Sequence, residues 1–98
     1  MESAKTIDIK SLLSDLKPIL IERFAVERIG YFGSYSKESA SKESDIDILV
    51  ELSHPIGWDF FALEEFLEKQ TGKKIDLVTK NGLRPELRES ILADVEYV

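Results

Sequence analysis

Ser44-Asp45-Ile46-Asp47-Ile48-Leu49-Val50-Glu51-Leu52 is the stretch on which the fold turns. Ile46, Ile48, Val50 and Leu52 fall on one side of an extended chain and Asp45, Asp47, Leu49 and Glu51 on the other. That is the two-residue period of a strand with one buried face. The same period puts Asp45 and Asp47 on one face, about 7 Å apart along the chain. Two carboxylates this close repel each other unless a cation neutralises them. Hard divalent ions such as Mg²⁺ take oxygen ligands and keep room for substrate phosphates. Taken alone, an Asp-x-Asp on an amphipathic strand is more often a solvated face than a metal site.

The flanking sequence changes that balance. Gly33-Ser34, separated from Asp45 by ten residues, lies at the end of a segment in which Val26, Arg28, Gly30 and Phe32 alternate with Glu27, Ile29 and Tyr31. This reads as a strand closed by Gly33, where glycine lets the backbone approach a phosphate. The polar run from Ser34 to Glu43 predicts a short helix opening at Ser34, then a loop. Free N–H groups at a helix start favour an anion. Downstream, Lys73 to Thr79 reads as a third strand with Asp76 in its middle. A charge within an apolar run is costly unless paired or ligated. If this strand lies beside the second, Asp76 joins Asp45 and Asp47. Three carboxylates with two metal ions can activate a hydroxyl and stabilise a pentavalent phosphorus.

Helices fill the intervals. Ile9, Leu12, Leu13, Leu16, Ile19 and Leu20 have helical spacing, with Thr6 or Asp8 as cap and Pro18 expected to kink or divide the helix. Asp59 to Gln70 predicts a helix with Leu63, Phe66 and Leu67 inward and Gly72 just beyond its end. Pro85 to about Asp94 predicts a last helix, with Leu87, Ile91 and Val95 on one face. His54-Pro55-Ile56-Gly57 is a loop. The order αβαβαβα implies a small α/β (α+β) domain, residues 1–98, with helices packed on a mixed sheet of at least three strands.

The composition agrees. The chain has 98 residues, suited to one domain of modest core, whose surface a homo- or hetero-oligomer would complete. Its net charge of −6 argues against extended nucleic-acid binding, which needs clustered Lys and Arg. There is no cysteine, no membrane-length apolar run and no signal-peptide pattern, so the expected location is cytoplasmic.

Phe32-Gly33-Ser34-Tyr35-Ser36-Lys37, followed by Ser44-Asp45-Ile46-Asp47-Ile48-Leu49-Val50, resembles the signature of the DNA polymerase β-type nucleotidyltransferase superfamily, and most closely its minimal, stand-alone branch. Gly72-Lys73-Lys74-Ile75-Asp76-Leu77-Val78 is similar to that branch's third-aspartate strand, and Leu83-Arg84-Pro85-Glu86-Leu87-Arg88 to its C-terminal helix. The resemblance covers the chain from about residue 10 onward. It implies a polymerase β-type palm and transfer of a nucleoside monophosphate from ATP or another nucleoside triphosphate. Asp45 and Asp47 would bind two Mg²⁺ or Mn²⁺ ions. Asp76 would bind the catalytic ion and help deprotonate the acceptor. Gly33, Ser34 and Lys37 would hold the nucleotide. The branch commonly has Arg-Gly where this chain has Lys37-Glu38. Lysine keeps the charge but loses the bidentate fork of arginine.

The resemblance also implies a partner. Minimal nucleotidyltransferases act as antitoxins beside a helical HEPN-type ribonuclease toxin, transferring AMP to a toxin tyrosine. The competing readings are an antitoxin that neutralises its partner by binding alone, and a transferase acting on a small molecule or RNA end. Elsewhere, His54 reads as a solvated loop residue and Trp58, Phe60 and Phe61 as a lid or core rather than a base platform. Lys73 and Lys74 read as exposed. Arg84, Arg88 and Tyr97 receive no role.

Overall fold

In the computed structural model, residues 8–36 and 45–98 are described. They form α1 (Ile9–Phe24), β1 (Val26–Phe32), β2 (Ile46–Leu52), α2 (Asp59–Thr71), β3 (Ile75–Thr79), a 3-10 turn (Lys80–Gly82), α3 (Pro85–Asp94) and β4 (Glu96–Tyr97). The strands make one mixed sheet in the order β3-β2-β1-β4. β1 runs antiparallel to β2 and β4, whereas β2 and β3 are parallel.

The first helix starts where Asp8 caps it: its carboxylate accepts from the Ser11 amide at 3.2 Å and the Ser11 hydroxyl at 2.9 Å. Thr6, the other candidate cap, lies outside the described residues. Ile9, Leu13, Leu16, Leu20 and Phe24 form its buried stripe. Of the two outcomes expected of Pro18, a kink or a division, the division does not occur: the helix continues through it to Phe24. Pro18 is exposed, so the Ser14 carbonyl that loses its helical donor is on the water side. Ala25, at φ 58°, ends the helix with its N–H on the Leu20 carbonyl.

One sheet face carries the core. Ile29 and Tyr31 of β1, Ile46, Ile48 and Val50 of β2, and Ile75 and Leu77 of β3 pack with the stripes of α1 and with Leu63 and Leu67 of α2. The alternation read from sequence put Val26 on the face opposite Ile29, yet both are buried in this core. The pairing register slips between Val26 and Arg28, and the extra residue of that bulge reverses the phase. Helix α2 ends at Gly72, φ 71°, as expected. Leu63, Leu67 and Thr71 are its buried residues, while Phe66 is half-buried against the Phe24 ring, centroids 5.7 Å apart.

The second face of the sheet carries Arg28, Gly30 and Phe32 on β1, Asp47, Leu49 and Glu51 on β2, and Asp76 and Val78 on β3. Leu49 is fully buried there, in register with Gly30 on one side and Val78 on the other. The sequence did not announce β4. It pairs Tyr97 with Gly30 and Glu96 with Tyr31. Helix α3 begins at Pro85 as expected, but none of its residues is buried, and Leu87 is 46% exposed. The inward face expected of Leu87, Ile91 and Val95 is therefore only half covered. Among the described residues, no helix is long and apolar enough to cross a membrane.

Candidate functional site

The parallel pairing of β2 and β3 sets the site. Asp47 and Asp76 are direct register partners, so their side chains leave the sheet side by side on the second face. Asp76 is exposed and Asp47 half-buried. Asp45, immediately before β2, is exposed. Burial pushes the Asp47 carboxyl above the usual carboxylate range, and the charges of Asp76 and Asp45 and a hydrogen bond with Asp76 push it further. The three carboxylates named from the sequence thus meet electrostatically. Asp47 and Asp76 form the tight pair, and Asp45 stands at its rim.

Among the described residues, no three acidic, His or Cys side chains are gathered closely enough to cage an ion as they stand. The donor set nevertheless fits a hard divalent cation. All its atoms are carboxylate oxygens, and the cation's remaining positions would be filled by water or phosphate, as Mg²⁺ prefers. A cation at this place would also relieve the repulsion that raises Asp47.

Gly33 closes β1 directly against this pair. Its φ of 71° is in the left-handed region, and a Cβ there would collide with Oδ2 of Asp47 and lie 3.4 Å from its Cγ. Residues 33–36 form a turn in which the Ser36 hydroxyl donates to the Gly33 carbonyl at 3.0 Å. The helix expected to open at Ser34 is absent from residues 33–36: Ser34 sits, half-buried, inside the turn. A glycine with positive φ followed by that serine-closed turn satisfies the local hydrogen bonding without a helix. Tyr35, buried in the main core, anchors the turn. Lys37, expected beside the nucleotide, lies outside the described residues.

Two features escaped the sequence reading. Phe32 is the register partner of Asp47 on β1, so it stands on the same face, on the side of Asp47 away from Asp76. Tyr97, left without a role, donates its hydroxyl to Glu51 at 3.0 Å, and the Arg28 guanidinium lies 3.7 Å above its ring centre. Glu51 also meets Arg28 at 3.6 Å and Lys80 at 3.9 Å. This charged cluster borders a concavity of about 610 Å³, which is also lined by His54 and Arg88. It lies at the opposite end of β2 from Asp45 and Asp47. Among the described residues it is the carboxylate end that groups like charges beside a left-handed glycine turn, which makes that end, rather than the concavity, the candidate site. Of the remaining candidates, His54 is exposed. Arg88 donates to the Lys80 carbonyl at 3.0 Å, and Arg84 meets Glu86 at 3.8 Å. Lys74 is exposed and Lys73 half-buried. Phe60 packs against the core as expected, but Trp58 and Phe61 do not: they are 85% and 59% exposed.

Comparison with known proteins adds three findings. A family model described as a nucleotidyltransferase domain matches residues 13–98. Protein adenylyltransferase MntA of Thermococcus cleftensis is 42% identical over 92 residues, covering 93% of each chain. A solved structure provisionally named a minimal nucleotidyltransferase superposes with a TM-score of 0.74 at 30% identity, over 92% of this chain and 95% of that one. The fold is shared also with a complex described as a tri-AMPylated Shewanella oneidensis HEPN toxin with its MNT antitoxin, at TM-score 0.59 and 23% identity, over 91% of this chain and 64% of the matched one.

Proposed function

Because the chain belongs to the nucleotidyltransferase domain family, we propose that it transfers AMP from ATP to a tyrosine hydroxyl of a HEPN-type ribonuclease toxin and so acts as that toxin's antitoxin. The observation that carries the reading is the pairing of Asp47 with Asp76 beside the Gly33 turn, which puts carboxylates and a close backbone approach at one place. The 42% identity to a protein adenylyltransferase over nearly the whole chain supports a protein as acceptor. The Shewanella complex supports a HEPN toxin as that protein.

In this reading the tyrosyl oxygen bonds to the α-phosphorus, the bond from that phosphorus to the bridging oxygen breaks, and pyrophosphate leaves. Asp76, the most accessible of the tight pair, accepts the phenolic proton. Asp45, Asp47 and Asp76 would hold Mg²⁺ or Mn²⁺, which supplies positive charge for the triphosphate and a more acidic acceptor hydroxyl. The turn at Gly33 and Ser34 receives the triphosphate, since no side chain at residue 33 blocks the way to Asp47. Lys37 supplies a positive charge to the same phosphates.

The test is mass spectrometry of the partner toxin after incubation with ATP, Mg²⁺ and the protein. AMP should appear on a tyrosine with wild type and not with Asp47→Ala. A partner neutralised without added mass, and equally well by Asp47→Ala, would establish inhibition by binding alone.

A further inference from the structure

The peptide group between Lys74 and Ile75 is held from both sides. Its carbonyl accepts from the Ile46 amide of β2 at 3.0 Å. Its N–H donates to a carboxylate oxygen of Glu68, on α2, at 3.1 Å. In a trans peptide unit the C=O and N–H point in opposite directions. The bond to β2 therefore turns the Ile75 N–H outward, and β3 is an edge strand of the sheet. Glu68 takes the place that a further strand would take at the first residue of β3.

This peptide group lies where the register of β2 and β3 is set. Ile46 stands between Asp45 and Asp47, and Ile75 precedes Asp76. Ile46 pairs with Ile75, and the next pair along is Asp47 with Asp76. A slip of one residue would carry Asp76 to the opposite face of the sheet, away from Asp47. Glu68 is well placed to prevent it. It is half-buried on the last turn of α2, and its main-chain carbonyl accepts from the Gly72 amide at 2.8 Å. One turn on, the Thr71 hydroxyl donates to the Leu67 carbonyl at 2.9 Å and accepts from the Lys73 amide at 3.2 Å. The short connection from α2 to β3 is thus folded back on the helix end, with the Glu68 carboxylate at Ile75. A charged acceptor makes a stronger hydrogen bond than a neutral one. It also polarises the peptide, so that the Lys74 carbonyl binds the Ile46 amide better.

We propose that Glu68 is a positioning residue for the transfer step: it clamps the Lys74–Ile75 peptide against Ile46 and so fixes the register that brings Asp76 beside Asp47. The proposal rests on the reading that Asp76 takes part in transfer. Glu68 acts through the backbone of β3.

Glu68→Ala and Glu68→Gln are compared with wild type in single-turnover AMP transfer to the partner toxin and in equilibrium ATP titration with Mg²⁺. Glu68→Ala should slow transfer by about 10- to 100-fold and leave the ATP dissociation constant within about threefold, the pattern of a group that orients a site residue from behind. Glu68→Gln keeps an oxygen acceptor at the same reach and should recover most of the rate. In an Asp76→Asn background Glu68→Ala should cause no further loss, since changes that act through one group are not additive. Tyr97→Phe, weakened at β4, controls for stability and should transfer at the wild-type rate. A wild-type rate in Glu68→Ala would overturn the proposal. So would parallel losses of ATP binding and transfer, or an undiminished loss in the Asp76→Asn background. If wild type labels no partner, amide exchange still tests the clamp. In Glu68→Ala the Ile75 and Ile46 amides should exchange faster, while the Val98 amide, which donates to Ile29, stays protected. Unchanged exchange at Ile46 would overturn the clamp whether or not AMP is transferred.

Discussion

Gly33 touches the carboxylate of Asp47: the place a Cβ would take on the glycine is already filled by the aspartate's Oδ2. Gly33 follows the end of β1 and Asp47 lies on the neighbouring β2, and each limits the other. Gly33 must be at φ 71° for β1 to turn away at that point, and it must lack a side chain for Asp47 to reach its position.

Gly33→Ala is therefore expected to act twice. The left-handed backbone costs roughly 1–2 kcal/mol for a residue with a Cβ, and the displaced carboxylate breaks the pairing with Asp76. Urea unfolding should show the first effect. ATP binding in the presence of Mg²⁺ should fall by more than that stability loss alone would produce. Gly72→Ala, at the same φ but with open space around its Cβ, serves as the control. It should lose stability and keep ATP binding.

The raised Asp47 carboxyl predicts how the metal-free domain responds to pH. Between the ordinary aspartate value of about 4 and the higher folded value, the folded chain holds more protons than the unfolded one. Stability from this group is thus greatest at low pH and falls as pH rises through that window. In EDTA at neutral pH, Asp47→Asn should melt at a higher temperature than wild type, and the difference should vanish near pH 4. Thermal melts across that range check the sign. Adding Mg²⁺ should raise the wild-type melting temperature and leave Asp47→Asn nearly unchanged.

Gly30 and Tyr97 make a second pairing with consequences. A Cβ on Gly30 would stand 2.6 Å from the Glu96 carbonyl oxygen, which belongs to backbone and cannot swing away. Gly30→Ala should push β4 off β1, at a cost of about 1–3 kcal/mol typical of overpacking. Tyr97→Phe removes only the hydroxyl that Glu51 accepts at 3.0 Å. It should cost about 1 kcal/mol while the ring stays beneath Arg28. Chemical denaturation of both variants, with hydrogen exchange at the Val98 amide that donates to Ile29, separates loss of the strand from loss of one bond.

Periodicity made much of this fold legible. The spacing from Ile9 to Leu20, the alternation through β2, Gly72 after α2 and Pro85 at α3 are local signals, and each marks its element. Ile19, expected on the core face of α1, is nevertheless 40% exposed, and Phe24 takes the last core position instead. What escaped depends on residues distant in sequence. The bulge between Val26 and Arg28 is fixed by pairing to Leu52 and Glu51, so no alternation within β1 reveals it. Strand β4 is two residues long, and its reason to form is the bare backbone of Gly30. At Ser34 the residues expected to start a helix form a turn over 33–36, because serine serves both, and the rest of the expected segment lies outside the described residues. For the site, the two-residue spacing put Asp45 and Asp47 on one face, whereas the meeting of Asp47 with Asp76 needed the parallel register of β2 and β3.

The division of labour between Asp47 and Asp76 yields the last prediction. Asp47 is half-buried, lies between the other two carboxylates in influence and touches Gly33, so it is placed to hold what sits at the turn. Asp76 is exposed and reaches the same point from the outer strand, where an acceptor hydroxyl would arrive. Asp76→Asn keeps the size and an oxygen ligand but cannot take a proton. It should bind ATP with Mg²⁺ within about threefold of wild type, while the transfer step falls by about 100-fold or more, the usual range for removing a positioned base. Asp47→Asn should lose both binding and transfer, because the amide neither balances a cation's charge nor preserves the pairing. Equilibrium ATP titration and single-turnover labelling of the partner, run on both variants, separate the two roles. Equal loss of ATP binding in both would mean that Asp76 serves binding as much as Asp47 does, and the proton would then need another acceptor.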